Sequence, residues 1–295
     1  MTHSISPYLT TKELAQLLRL GERKVYDLAS SEQIPSMRAG GKLLFERSAI
    51  EVWLKQTHSG PTLEAAIDLP AIIAGSHDPL LDWALRQSGS GLAGYFDGSE
   101  DGLIRVRSKD AALCALHIYE DQGWNTNRVS AEFNELPVVL VEFCKRERGL
   151  IISQGNPLDI KGLDDLKRRR LARRQEGAAG QKLLEKLLSD AGVSADMVFA
   201  GQSIARSESD LALEVKSGRA EAAFGLKSEA AAQNLDFIPV MTERFDLLVW
   251  RKAWFDPAFQ KFLAFCESDA FKDQAVSLSG YDLTGFGHIH FNASH

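Results

Sequence analysis

Two short stretches carry side chains suited to holding an anion: Gly75-Ser76-His77-Asp78, and Arg174-Gln175-Glu176-Gly177-Ala178-Ala179-Gly180. Each follows a strand-like run and opens a helical one. Unpaired backbone N–H groups and the positive end of the helix dipole would then face a bound anion from both sides. Ser76, His77, Asp78 and Ser99 are the candidate polar contacts of the first stretch, and Arg174 could supply charge to the second. Gly177 and Gly180 would let the backbone approach closely. Ser76 and Asp78 serve equally well as helix caps, and the two glycines as turn residues. A third cluster lies near the N-terminus, where Arg23, Lys24 and Tyr26 share a short helical stretch and Arg38 and Lys42 flank Gly40-Gly41. Cations so placed suit the phosphates of a double helix.

No catalytic constellation accompanies them. The chain lacks GxSxG, HExxH and a GxxxxGK[ST] loop, and its carboxylates have no defensible pairing. Cys114, Cys144 and Cys266 stand far apart, which excludes a CxxC pair and suits a reducing compartment. His288 and His290 have no Cys or carboxylate beside them, so no metal site is expected. The reading is therefore of a protein that is not an enzyme and needs no cofactor.

The elements that would position these residues fall into two groups. The net charge of −6 over 295 residues argues against nucleic acid as a partner, but it hides an asymmetry. Residues 1–58 hold eight Lys/Arg and six acids, a net of +2, leaving −8 for the remainder. Charges more than about 8–10 Å apart are screened at physiological salt, so a partner answers to the local field. In this head, Thr10 or Thr11 with Glu13 starts a helix bearing Leu14, Leu17 and Leu18. Gly21 breaks it, and a second helix from about Glu22 to Ser30 buries Val25 and Leu28. Gly40-Gly41 reads as a hairpin tip, and Ser48 caps a third helix with Ile50, Trp53 and Leu54. Residues 58–68, with Gly60-Pro61, read as a linker. From Leu69 onward strand-like and helix-like runs alternate, as in an α/β sheet. Val138–Phe143 and Gly149–Ser153 read as separate strands, as do Phe237–Val240 and Asp246–Trp250. No secretion signal and no membrane span are evident, which points to the cytoplasm.

The head resembles the excisionase/MerR-like winged helix-turn-helix family. The matching residues run from Tyr8-Leu9-Thr10 and Glu13-Leu14-Ala15 through Val25-Tyr26, Ile34-Pro35 and Gly40-Gly41-Lys42 to Ala49–Leu54. The resemblance implies double-stranded DNA as partner. Arg23, Lys24 and Tyr26 would face the major groove, Thr11 would contact the DNA, and Arg38 and Lys42 would hold backbone or minor groove. A module of this size touches few phosphates, which favours a homodimer or higher even oligomer.

The remainder resembles the periplasmic-binding-protein-like (type II) fold, in the version borne by molybdate-related regulators. The matching strings include Gly75–Leu81, Gly98-Ser99, Leu116-His117-Ile118, Arg146–Leu150, Gly155-Asn156-Pro157 and Arg174–Gly177. The resemblance implies two lobes, one from about 69–145 plus 246–295 and the other from about 146–245, joined by two crossing strands near 140–150 and 240–250, around a ligand cleft. It implies a small anionic effector such as a molybdate- or tungstate-type oxyanion. The expected arrangement is a winged helix-turn-helix over 1–57, a linker over 58–68, and an α/β two-lobed domain over 69–295. Together these give a ligand-responsive transcriptional regulator. A molybdenum-cofactor-related enzyme or binding protein with an autoregulatory DNA module stays open at this point.

Overall fold

A computed structural model of the chain describes residues 6–56, 69–121, 123–175, 177–194 and 198–293; the expected linker over 58–68 lies outside them. It divides into two units, residues 1–68 and 69–295.

In the first unit, β1 (Tyr8–Thr10) leads into α1 (Thr11–Leu18) and α2 (Glu22–Ser30), followed by β2 (Met37–Ala39), β3 (Lys42–Glu46) and α3 (Arg47–Gln56). Thr10 is the cap of α1. Its hydroxyl accepts the Glu13 N–H, and the Glu13 carboxylate accepts the Thr10 N–H at 2.8 Å, which closes a capping box. Gly40 and Gly41 have φ of 57° and 79°, the paired positive values of a type I′ hairpin turn between β2 and β3. β1, which the sequence reading left unassigned, pairs with the other edge of β3, setting Leu9 opposite Phe45. Ser48 does not cap α3: the helix begins one residue earlier, and the Ser48 hydroxyl donates to Glu46 at 2.7 Å. Leu9, Leu14, Ala15, Val25, Ile34, Phe45 and Ile50 form the core.

The second unit opens with β4 (Ile72–Gly75), α4 (Pro79–Ser88), β5 (Ala93–Tyr95), α5 (Ser99–Ser108) and β6 (Leu113–Leu116). A small hairpin, β7 (Tyr119–Glu120) and β8 (Gly123–Trp124), leads to α6 (Thr126–Phe133) and the long β9 (Val138–Ile152). Next come β10 (Arg170–Arg174), α7 (Ala179–Asp190), β11 (Phe199–Ala205), α8 (Glu208–Lys216), β12 (Ala222–Leu226) and α9 (Lys227–Ala232). A second long strand, β13 (Asp236–Trp250), is followed by α10 (Arg251–Trp254), α11 (Pro257–Cys266) and α12 (Asp269–Leu278). Two short strands, β14 (Tyr281–Asp282) and β15 (Ile289–Asn292), return to β9.

The strands run β11-β10-β12-β9-β13-β6-β4-β5. Each lobe contributes three parallel strands, and β9 and β13 pass antiparallel through both. The local apolar pattern divides each of these long strands in two, whereas the resemblance implies crossing strands near 140–150 and 240–250. They are continuous: β9 and β13 pair from Ile152↔Asp236 to Val138↔Trp250, and the charged stretches taken for boundaries lie within the ladder. One apolar core fills the first lobe, and two smaller ones cover the faces of the second lobe's sheet.

Helix α5, also absent from the sequence reading, is seated by glycines. A Cβ on Gly102 would lie 2.5 Å from the Gly75 Cα, so helix and strand meet backbone to backbone. This close approach sets Ser99, at the head of α5, beside the end of β4.

Candidate functional site

The exposed cations of the first unit lie where the sequence placed them. Arg23, Lys24 and Tyr26 stand on the outer face of α2, with Val25 wholly buried behind them. None of Arg23, Lys24, Arg38 and Lys42 pairs with an acid among the described residues. The hairpin register sets Arg38 opposite Leu43 and Lys42 opposite Ala39, so the two cations project from opposite faces of the ribbon. Thr11 differs from expectation. It is the first residue of α1 and only 8% exposed, its neighbour Thr10 having taken the cap, so its side chain is inside the unit rather than on a DNA-facing surface.

The second unit holds a cleft between its lobes. Its inner cavity, of about 10 Å³, is lined by Ser76, His77, His117, Arg174, Gly180 and Glu208 among others. That is room for about one water molecule. Ser76 and Ser99 share a hydrogen bond of 2.7 Å between their hydroxyls, and Ser99 also accepts the His117 N–H at 3.3 Å. His77 stands edge-on to Phe96, and its Nδ1 has no partner among the described residues.

The helix ends that face this cleft are not quite the expected pair. At α4, Asp78 accepts the Leu81 N–H, Pro79 has no N–H to give, and the Ser76 N–H is spent on the Ala115 carbonyl. Helix α5 takes its place: Gly98 caps it without a side-chain bond, and Gly98 and Ser99 reach the cleft. From the other lobe α7 presents Ala178, Ala179 and Gly180, again without a side-chain cap. Two uncapped helix N-termini therefore converge from opposite lobes.

Asp78 does not belong to the ligand surface. It is wholly buried, one oxygen serves Leu81, and the other accepts from Arg146 at 2.6 Å and from the Tyr281 hydroxyl at 2.8 Å. Arg174 does reach the cavity, but its donors are engaged by Glu208 at 3.1 Å, by Gln175 at 3.2 Å and by the Arg206 carbonyl at 3.1 Å. Gly177 has φ of 84°, the turn conformation before α7. Gly180 is small for a specific reason: a Cβ there would lie 3.2 Å from the Arg148 guanidinium.

Beneath the cleft runs a buried ionic network that the sequence reading did not find. Arg146 and Arg148 on β9 both bond Glu243 on β13; Arg148 also reaches Glu208 at 3.0 Å, and Arg146 reaches Asp78. His117 approaches Glu243 at 3.1 Å. Burial alone would push the Glu208 carboxyl up, but Arg148 and Arg174 overcome it and pull its pKa down to about 2. Glu243 is likewise driven well below the carboxylate range by Arg146 and Arg148 against its burial. Burial pulls the His117 imidazole and the Arg174 guanidinium below their usual values, with Glu243 and Glu208 respectively opposing. Three cations and three carboxylates thus tie both lobes to the strands that cross between them. The available signal was Arg146-Glu147-Arg148 inside an apolar run, because residues two apart share one face of a strand.

The pattern of a PBP superfamily domain matches residues 81–267, and that of a helix-turn-helix domain matches residues 8–58. The chain belongs to the PBP superfamily, with a helix-turn-helix domain in front. The chain is 26% identical to the uncharacterised protein YvgK of Bacillus subtilis (strain 168), over 94% of this chain and 96% of that one. An uncharacterised protein from the 5′ region of the ferredoxin 2Fe-2S gene of Clostridium pasteurianum is 34% identical over 27% of this chain and 71% of its own length. Among solved structures, a putative phosphate ABC transporter substrate-binding protein with bound phosphate, from Clostridium perfringens, superposes with a TM-score of 0.51. Its identity is 11%, and the match covers 70% of this chain and 96% of that one, a likeness of fold. Among the described residues no helix is long and apolar enough to cross a membrane, and no cluster of metal-ligating side chains occurs.

Proposed function

We propose that the chain is a cytoplasmic, ligand-responsive transcriptional regulator, reading operator DNA as an even-numbered oligomer and sensing a small anion in a type II cleft. One observation carries the reading: a helix-turn-helix that exposes Arg23 and Lys24 shares a chain with a cleft where two uncapped helix N-termini, a serine hydroxyl pair and Arg174 converge. In the excisionase/MerR-like manner, α2 would enter the major groove through Arg23, Lys24 and Tyr26. The β2–β3 hairpin would act as a wing, with Arg38 or Lys42 on phosphates. Ser76, His77, Ser99, Arg174, Gly177 and Gly180 remain the ligand candidates.

The inner cavity is too small for an oxyanion such as molybdate, tungstate or phosphate until the lobes part about β9 and β13. Binding must then favour one lobe arrangement over another, and by linkage it shifts operator affinity by the same coupling free energy. Footprinting of the full chain on DNA from its own promoter region, with and without an anion that raises its melting temperature, tests the proposal. A discrete footprint whose midpoint moves with the anion supports it; no footprint under either condition refutes it.

A further inference from the structure

The cleft has a second chamber. Beside the inner cavity lies another of about 190 Å³, and Ala179 lines both. Ser99 on the wall of the outer chamber is hydrogen-bonded to Ser76 on the wall of the inner one, and Ile118 of the outer follows His117 of the inner in the chain. The two spaces are therefore neighbours around the heads of α5 and α7.

Their chemistry differs. The inner space is walled by the Ser76 hydroxyl, two imidazoles, the Phe96 ring, backbone, and the Arg174 guanidinium with its partner carboxylate Glu208. The outer one is walled by Ile118 and Tyr119 from one lobe and by the buried Leu183 from the other. Tyr119 is braced edge-on against Trp124 of the same hairpin, at 5.2 Å between centroids, and both rings pack on the second lobe's core. The charges at its rim are already matched: Lys182 pairs with Glu100 at 3.3 Å, and Lys186 with Asp190 at 3.3 Å. That rim does not call for a second anionic group. The chamber is smaller than the roughly 300 Å³ at which pockets for drug-sized ligands begin.

We infer that the effector is an organic anion, with a compact anionic head for the inner cavity and a short, uncharged, apolar or aromatic body for the outer chamber. The inference rests on the sensing reading given above. A bare oxyanion would occupy the head position and leave the half-buried Ile118 and Tyr119 against water, whereas a hydrocarbon body removes that surface from water.

Calorimetric titration of the full chain compares inorganic phosphate, sulfate and molybdate with phosphonates and carboxylates bearing methyl, propyl, butyl and phenyl groups. The dissociation constant is expected to fall about fourfold for each added methylene until the chamber is full. In Ile118→Trp, which narrows the chamber, the advantage of phenyl over methyl should shrink at least tenfold while methyl binding persists. The wild-type series alone decides the matter should that variant fail to fold. An inorganic oxyanion binding as tightly as the best chain-bearing homologue overturns this inference and leaves the sensing reading standing. Binding of neither series overturns both.

Discussion

The two units use charge in opposite ways. In the helix-turn-helix unit no charged residue is fully buried among the described residues; its core is seven apolar side chains, and Arg23, Lys24, Arg38 and Lys42 lie outside. In the two-lobed unit Arg146, Arg148, Glu208, Glu243 and Asp78 are inside and paired with one another, with only the Arg146 Nη2 lacking a partner among the described residues. The outer cations are available to a polyelectrolyte, whose affinity then depends on salt. The inner ones cannot meet a partner without losing a counter-charge. They cost several kcal/mol each to desolvate, and what they confer is a fixed geometry where the lobes join. Sign and number of charges are thus a poor guide to partners until their burial is known.

The contrast can be broken most forcefully at Glu243. Glu243→Ala leaves two buried guanidiniums without their shared acceptor, and the two-lobed unit should lose about 3–5 kcal/mol of stability. Urea unfolding followed by tryptophan fluorescence measures this, and an unchanged midpoint would mean that the network is ornamental.

Acid should act on the same cluster. Glu208 is held at about 2 against a usual 4.5, so its contribution is full above pH 4.5 and is lost as pH falls towards 2. Glu243, also depressed, adds loss of the same sign. The Glu208 part is on the order of 3 kcal/mol, and Glu208→Gln should flatten the decline below pH 4.5. An identical acid profile in wild type and variant would contradict the assignment.

On the outer side, Arg23→Ala should weaken operator binding by about 1–3 kcal/mol if the side chain reads a base edge. Lys42→Ala, if that side chain holds a phosphate, should weaken all sequences alike and lower the salt slope by about 0.9. Both variants should leave the urea midpoint of the two-lobed unit in place. Titrations at several salt concentrations separate the two outcomes, and a dependence unchanged in both variants would remove α2 and the hairpin from the interface. The smallest effect belongs to Thr10→Ala, which removes the α1 cap and should cost the helix-turn-helix unit about 1 kcal/mol. Thermal melting followed by circular dichroism at 222 nm would show it; no shift would mean that Glu13 and water replace the hydroxyl.

Legibility in the sequence followed the same division. Thr10, Glu13, Gly21, Gly40 and Gly41 act within a few residues of themselves, so the helices and hairpin of the first unit could be read directly. Arg146 and Arg148 are satisfied by Glu243, Glu208 and Asp78, which lie 60 to 97 positions away in the chain. The apolar run around Arg146 and Arg148 hints at their burial but names none of these partners, and the charged stretch divides the local strand pattern in two. Helix α5 escaped notice because Gly102, ordinarily a breaker, is there the contact surface. Its absence from the reading also assigned the first lobe's anion-facing helix end to α4. Either threonine suits the cap of α1, and Thr10 takes it, which turns the Thr11 side chain inward.

The interleaving of the lobes bears on how the protein is made. The first lobe needs β13, α11 and β15, which leave the ribosome only after most of the second lobe has been synthesised, whereas the helix-turn-helix is complete within about the first fifth of the chain. A ribosome stalled beyond the second lobe, or a premature stop there, would release a DNA-reading head attached to a sensor that cannot close. Under the proposed function, such a fragment would keep the helix-turn-helix while losing the closed cleft, so nonsense alleles late in the coding sequence should behave as unresponsive to ligand rather than null.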